Sequence, residues 1–70
     1  MKSIKLREGE EFIKLGQALK LAGLVSSGVE AKIVIQDGQV LVNGEVDIRR
    51  GKKLYSGDTF MFEGEEVTVE

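Results

Sequence analysis

Arg49, Arg50, Lys52 and Lys53 place four cations within five residues. Arginine can grip a pair of anionic oxygens bidentately and lysine adds point charge, so the chemistry on offer is binding of a phosphate-like anion. The cluster follows Val40-Leu41-Val42-Asn43-Gly44-Glu45-Val46. That run reads as a strand, an Asn-Gly turn and a returning strand, the strongest short-range signal for a hairpin. Cations held beside a rigid hairpin make a plausible anion surface. Their placement is specific, because the whole chain carries a net charge of −2. Residues 1–13 are balanced at 0, residues 14–53 carry +3 and residues 54–70 carry −5. The middle is basic and the tail acidic, which suits a molecule with one anion-facing side.

Other long donors lie upstream. Lys14, Gln17 and Lys20 follow one another at intervals of three. On a helix they form one slanting polar stripe beside the apolar face, able to track spaced phosphates. The plainer interpretation is a solvated helix face. Ser26, Ser27 and Gly28 offer hydroxyls and amides at the start of a second helix, where backbone donors favour anions. The plainer interpretation there is a capping box alone, since Ser27-Gly28-Val29-Glu30 fits S-x-x-E. Lys32 falls in the first turns of that helix, an unfavourable place for a cation unless something negative lies nearby.

Enzymatic chemistry finds little support. The chain has no His and no Cys, which removes the commonest general base, the thiol nucleophile and the usual transition-metal ligands. Glu63, Glu65 and Glu66 surround a predicted turn and read as solvated. Neither a P-loop nor G-x-G-x-x-G occurs. A non-enzyme with no cofactor and no metal is expected.

The elements that must position these groups follow from periodicity. Ile4 and Leu6 alternate with Lys5 and Arg7, predicting a short strand over 3–7. Glu10 and Glu11 suit a helix start, and Phe12, Leu15, Leu19 and Ala22 recur at helical spacing with Gly23 as terminator. These predict a first helix over about 11–22. The capping box opens a second helix with Ala31, Val34 and Ile35 on one face, ended by Asp37-Gly38. Val40 and Val42, then Val46 and Ile48, alternate on either side of Asn43-Gly44. Gly51 marks a bend before Leu54, and Ser56-Gly57-Asp58 a turn. Strands over 59–62 and 66–69 flank Glu63-Gly64. The fold class is α+β: two N-terminal helices on a small, mostly antiparallel sheet of four to five short strands.

Seventy residues allow one domain, residues 1–70, which buries roughly 60% of its unfolded surface. No apolar run approaches the roughly 18 residues of a membrane span, and the first residues lack the apolar stretch of a signal peptide. A soluble, cytoplasmic monomer with no membrane partner is expected.

In order along the chain stand Lys14-Leu15-Gly16-Gln17-Ala18-Leu19-Lys20, Ser27-Gly28-Val29-Glu30-Ala31-Lys32, Val40-Leu41-Val42-Asn43-Gly44-Glu45, Arg49-Arg50-Gly51-Lys52-Lys53-Leu54 and Gly57-Asp58. This ordered set resembles the S4-type RNA-binding domain and its αL motif, in particular the short stand-alone bacterial S4-domain proteins. The resemblance spans about residues 3–69. It implies binding of structured RNA, often ribosomal; ribosomal proteins stand beside that RNA as a further expected partner. Carried over position by position, it implies an RNA face of Lys14, Gln17, Lys20, Ser26, Ser27, Gly28, Lys32, Asn43, Arg49, Arg50, Lys52 and Lys53. The chain departs from the pattern at Val29, where stand-alone members commonly carry a second glycine. It departs again at Ser27 and Gly28, where larger S4 domains carry an arginine, so phosphate grip there rests on Lys32. Of the four aromatic residues, only Tyr55 lies near the basic cluster. Few stacking groups argue against a single-strand platform and favour recognition by shape and backbone.

Two other classes fit parts of the pattern. Ubiquitin-like sulfur carriers of the β-grasp fold also use V-N-G-E hairpins followed by G-D, but they need a C-terminal Gly-Gly where this chain has Val67-Thr68-Val69-Glu70. A protein-interaction module would use the acidic 63–70 segment against a basic partner.

Overall fold

A computed structural model describes residues 2–70. The described residues form nine short elements: β1 (Lys2–Ile4), β2 (Phe12–Lys14), α1 (Leu15–Leu21), α2 (Gly28–Gln36), β3 (Val40–Val42), β4 (Glu45–Val46), β5 (Lys53–Tyr55), β6 (Thr59–Phe62) and β7 (Glu65–Val69). The main sheet runs β1-β7-β6-β3-β4, and β2 with β5 forms a separate two-stranded ribbon. Every pair is antiparallel except β1 with β7, where Ile4 lies opposite Val69. The two helices with a small, mostly antiparallel sheet match the α+β expectation.

The core follows from alternation. Val40, Val42, Phe60, Phe62, Val67 and Val69 point to one face of the sheet and are buried. They meet Leu15, Ala18 and Leu19 of α1 and Ala31, Val34 and Ile35 of α2 in one cluster. Strand side chains alternate between faces, so Glu66 and Thr68 lie on the sheet face away from this core. Part of the acidic tail therefore sits opposite the helices, as expected from its charge. Phe60 and Phe62 are core residues. Phe12 is half-buried and stacks obliquely on Tyr55, with ring centroids 5.9 Å apart.

Both helices end on a glycine for the same reason. After α1, Gly23 adopts φ +75° and donates to Lys20 O, while Leu24 N donates to Leu19 O. After α2, Gly38 adopts φ +79° and donates to Ile35 O, while Gln39 N donates to Val34 O. These are Schellman closures, in which a left-handed residue lets the last carbonyls find donors. Asn43 and Gly44 both have positive φ, at +50° and +86°, the two-residue turn that matches strand twist.

Three expectations need correction. The first helix starts at Leu15, not near 11. Phe12–Lys14 is extended because it pairs with β5: Phe12 opposite Tyr55, Ile13 opposite Leu54 and Lys14 opposite Lys53. An aromatic and a β-branched residue suit a strand, and the partner 41 residues along the chain decides it. The strand predicted over 3–7 is shorter, Lys2–Ile4, although Leu6 N still donates to Glu70 O at 3.1 Å. The returning hairpin strand stops at Val46, so Ile48 does not continue the alternation and lies 59% exposed.

Candidate nucleic-acid interface

The basic segment is fastened to α1 by its own backbone. Helix N-termini leave amides without intrahelical partners, and Lys14, at the N-cap position, supplies no side-chain cap. Instead, Leu15 N donates to Lys52 O at 2.8 Å and Gly16 N donates to Arg50 O at 3.1 Å. The loop after the hairpin is thereby the cap of the first helix. Backbone hydrogen bonds thus bring Arg50 and Lys52 to the start of that helix.

Gly16 makes the approach possible. A Cβ at this buried position would lie 2.8 Å from Arg50 Cγ and 3.4 Å from Arg50 Cδ. The Arg50 stem occupies the space that a side chain would fill. Arg50, Lys14, Gly16, Gln17, Lys20 and Gly28 then line one open depression of about 310 Å³. The stripe read from the sequence survives with one change: Lys14 precedes the helix in extended conformation (φ −76°, ψ 146°) rather than lying within it.

The two arginines have different settings. Arg49 folds back on Asp47, donating from Nε to Oδ1 at 3.0 Å and from Nη2 to Oδ2 at 2.8 Å, while its backbone N–H donates to Oδ1 at 2.9 Å. The Asp47 side chain is only 10% exposed. Arg49 thus spends part of its charge on a neighbour, while Arg50 makes no ion pair within the described residues. Arg49 instead borders Gly51, Lys52, Lys53 and Tyr55 in a second shallow depression. Lys53 Nζ sits 4.8 Å from the centre of the Phe12 ring, a cation–π placement.

The hydrogen bonds from Arg49 hold the Asp47 carboxyl below the usual carboxylate range, with burial opposing them, and the same contact raises the arginine. A carboxyl whose pKa is lower folded than unfolded contributes stability that is fully present above its unfolded value, near 3.8. That contribution is lost as pH falls through the folded value. Asp47→Asn is therefore expected to lose stability at pH 6 and to show a smaller drop between pH 6 and pH 3 than the parent, measured by urea unfolding at each pH.

The start of α2 is closed by its own residues. Ser27 Oγ accepts from Glu30 N at 3.1 Å, as the capping box requires. The reciprocal half shifts by one residue: the Glu30 carboxylate accepts from Ser26 N at 2.8 Å and Ser26 Oγ at 2.9 Å, not from Ser27 N. The Ser26 amide, then its hydroxyl, lowers the Glu30 pKa. A carboxylate already stands where an incoming anion would meet these serines. Gly28 alone of this group lines the Arg50 depression. Lys32 is exposed on α2 and does not line it.

Asn43 has structural partners at both ends of its amide. Its Oδ1 accepts from Thr59 N at 2.9 Å and its Nδ2 donates to Asp58 Oδ1 at 3.2 Å. Asp58 Oδ2 in turn accepts from Tyr55 N at 2.7 Å. The distant Asn-Gly and Gly-Asp pairs of the sequence are thus two ends of one staple. Asn43 also borders, with Arg49 and Lys52, a depression beside the hairpin. Sequence reasoning missed Gly16 and Asp47 as determinants of the site. A glycine inside a helical pattern was the available signal for the first. For the second, the signal was an aspartate two residues ahead of an arginine, the spacing of an Asx turn.

Comparison with known proteins agrees with this architecture. The S4-domain family matches residues 4–70. The chain is 54% identical over 54 residues to the probable ribosome maturation protein RlbA of Bacillus subtilis, covering 77% of this chain and 76% of that one. It is 44% identical over 57 residues to the putative RNA-binding protein YbcJ of Escherichia coli, covering 81% of each. The solution structure of YbcJ, described as revealing an αL motif involved in RNA binding, superposes with a TM-score of 0.72 at 39% identity over 99% of this chain and 86% of that one. With helices, hairpin and basic loop in the order its motifs require, and a family match over nearly every residue, the chain belongs to the S4-domain family.

Proposed function

We propose that this protein is a non-enzymatic RNA-binding module that recognises structured RNA, ribosomal RNA foremost. The whole of residues 1–70 acts as one S4-like domain, monomeric and cytoplasmic. The observation that carries the reading is the capping of α1 by the Arg50 and Lys52 carbonyls, which sets Arg50 beside Lys14, Gln17 and Lys20. Phosphates meet this groove first. Arg49, Lys52, Lys53 and Lys32 widen the positive field around it. Ser26 and Ser27 shape the start of α2, Gly28 forms part of the groove wall, and Asn43 holds the hairpin in register. Relatives named for RNA binding and ribosome maturation support the class of partner.

Arginine-by-arginine replacement tests the groove. Arg50→Ala is expected to weaken binding to ribosomal RNA fragments about tenfold or more, the loss of a hydrogen-bonded charge contact. Arg49→Ala is expected to cost less, because part of that charge is already spent on Asp47. Both side chains are exposed, so thermal unfolding should move little for Arg50→Ala. Equal binding by parent and Arg50→Ala would remove the groove from the interface.

One observation favours a second reading, a protein-docking module. Val29 and Ile33 are 70% and 59% exposed, one turn apart on α2. Nuclease treatment of complexes captured from cells separates the two: loss of the partner on treatment supports RNA, and retention supports protein.

A further inference from the structure

A second cleft adjoins the groove across the ridge made by Gln17 and Lys20, which line both. It encloses about 460 Å³ between α1 and the segment that follows β1. Leu6 N of that segment donates to Glu70 O at 3.1 Å, Glu10 N closes a turn within it on Arg7 O at 3.0 Å, and just before it Lys2 Nζ of β1 donates to Ala22 O at 3.1 Å. The cleft has an aliphatic floor and a charged rim. Leu6 and Ile13 are half-buried against the core, and Leu21 is 58% exposed. Lys5, Arg7 and Lys20 stand on the rim against one carboxylate, Glu10. The ion pairs among the described residues are Lys2 with Glu65 and Arg49 with Asp47, so the three rim cations are unpaired.

We propose that RNA in the groove continues over the Gln17–Lys20 ridge into this cleft, where an unpaired nucleotide rests its base on Leu6, Ile13 and Leu21 and its phosphate on Lys5 and Arg7. The proposal rests on the RNA-binding reading above and extends it to residues outside the implied face. Three features select this occupant. The cleft is continuous with the groove, so one backbone can reach both. Its rim is complementary to phosphate. Its floor is apolar but lacks an aromatic, which suits a base without demanding a particular one. Paired A-form RNA keeps its major-groove base edges out of reach of side chains, and a base becomes available to a protein chiefly where it is splayed from a bulge or loop.

Two RNA hairpins serve as probes: one with a fully paired stem, and the same hairpin with a single unpaired nucleotide bulged from it. Affinity is read by fluorescence anisotropy over a range of salt. The parent protein is expected to prefer the bulged hairpin about threefold, less than a base stacked on an aromatic side chain supplies, because the floor is aliphatic. Lys5→Ala with Arg7→Ala should abolish that preference and make the log–log salt slope shallower by about one, since the two cations share one phosphate. Leu21→Ser alters an exposed side chain, so the fold is retained. It should abolish the preference while leaving the slope in place. A parent with no preference, or a double variant that keeps it, overturns the cleft and leaves the RNA reading standing. If the parent binds neither hairpin in a salt-dependent way, the RNA reading falls and the cleft with it.

Discussion

Raising salt from 50 to 200 mM is expected to weaken RNA binding by roughly two to four orders of magnitude. Each phosphate neutralised by a lysine or arginine releases condensed counterions, so log affinity falls linearly with log salt, by a little under one per contact. The basic set holds seven cations, Lys14, Lys20, Lys32, Arg49, Arg50, Lys52 and Lys53. Arg49 is partly neutralised by Asp47 and Lys32 stands apart from the groove. About four to six contacts therefore remain, for a slope of roughly −3 to −6. A titration series on one ribosomal RNA fragment at four or five salt concentrations measures it directly. The net charge of −2 makes the test sharp, since a diffuse attraction between the whole protein and RNA is not available to mimic it. A slope near zero would mean that phosphates are not what this surface binds.

Leu54→Ala is expected to remove a large share of the protein's stability. Leu54 is fully buried and pairs with Ile13 in the β2–β5 ribbon. It lies immediately after the four cations and pins their loop to the core. Removing a buried leucine side chain costs about 2–5 kcal/mol through lost burial and the cavity left behind. A chain of this size has about 3.5–10 kcal/mol in total, at 0.05–0.15 kcal/mol per residue. One truncation can therefore consume most of the margin. Urea unfolding followed by far-UV circular dichroism should show the midpoint falling sharply. Leu54→Met conserves volume and should cost less than about 1.5 kcal/mol. Retention of the parental midpoint by Leu54→Ala would show that the ribbon contributes little to stability. Such a result would also weaken the view that the loop is held from beneath.

What could be read in the chain before its fold was the part governed by neighbours. Gly23 and Gly38 end helices because of the backbone they themselves adopt, and Asn43-Gly44 makes its turn from two adjacent residues. Ser27 and Glu30 declare a helix start within four positions. The charge contrast between the middle and the tail needs only counting. What escaped was decided at a distance. Phe12–Lys14 looks helical in its own window and becomes a strand because residues 53–55 lie alongside it. Glu30 bypasses Ser27 for Ser26 because of where the chain enters the helix. In the site, the lysines and arginines were legible as a set, while their division into a groove around Arg50 and a flank around Arg49 was not. Asn43 shows the same limit from the other side. Its motif is easy to see, and its role as the anchor of Asp58 and Thr59 appears only with residues 15 and 16 positions away.

The capping of α1 by the Arg50 and Lys52 carbonyls also sets an order of events during synthesis. A seven-residue helix is too short to persist alone in water. Its first amides find their acceptors only after residue 52 has been made, and β1 pairs with β7, the last of the described elements. A nascent chain that stops before residue 50 carries Lys14, Gln17 and Lys20 but has no groove in which to assemble them. The proposed RNA-facing groove and the folded state arrive together, so a chain that stops short of residue 50 has no formed groove to offer a phosphate backbone.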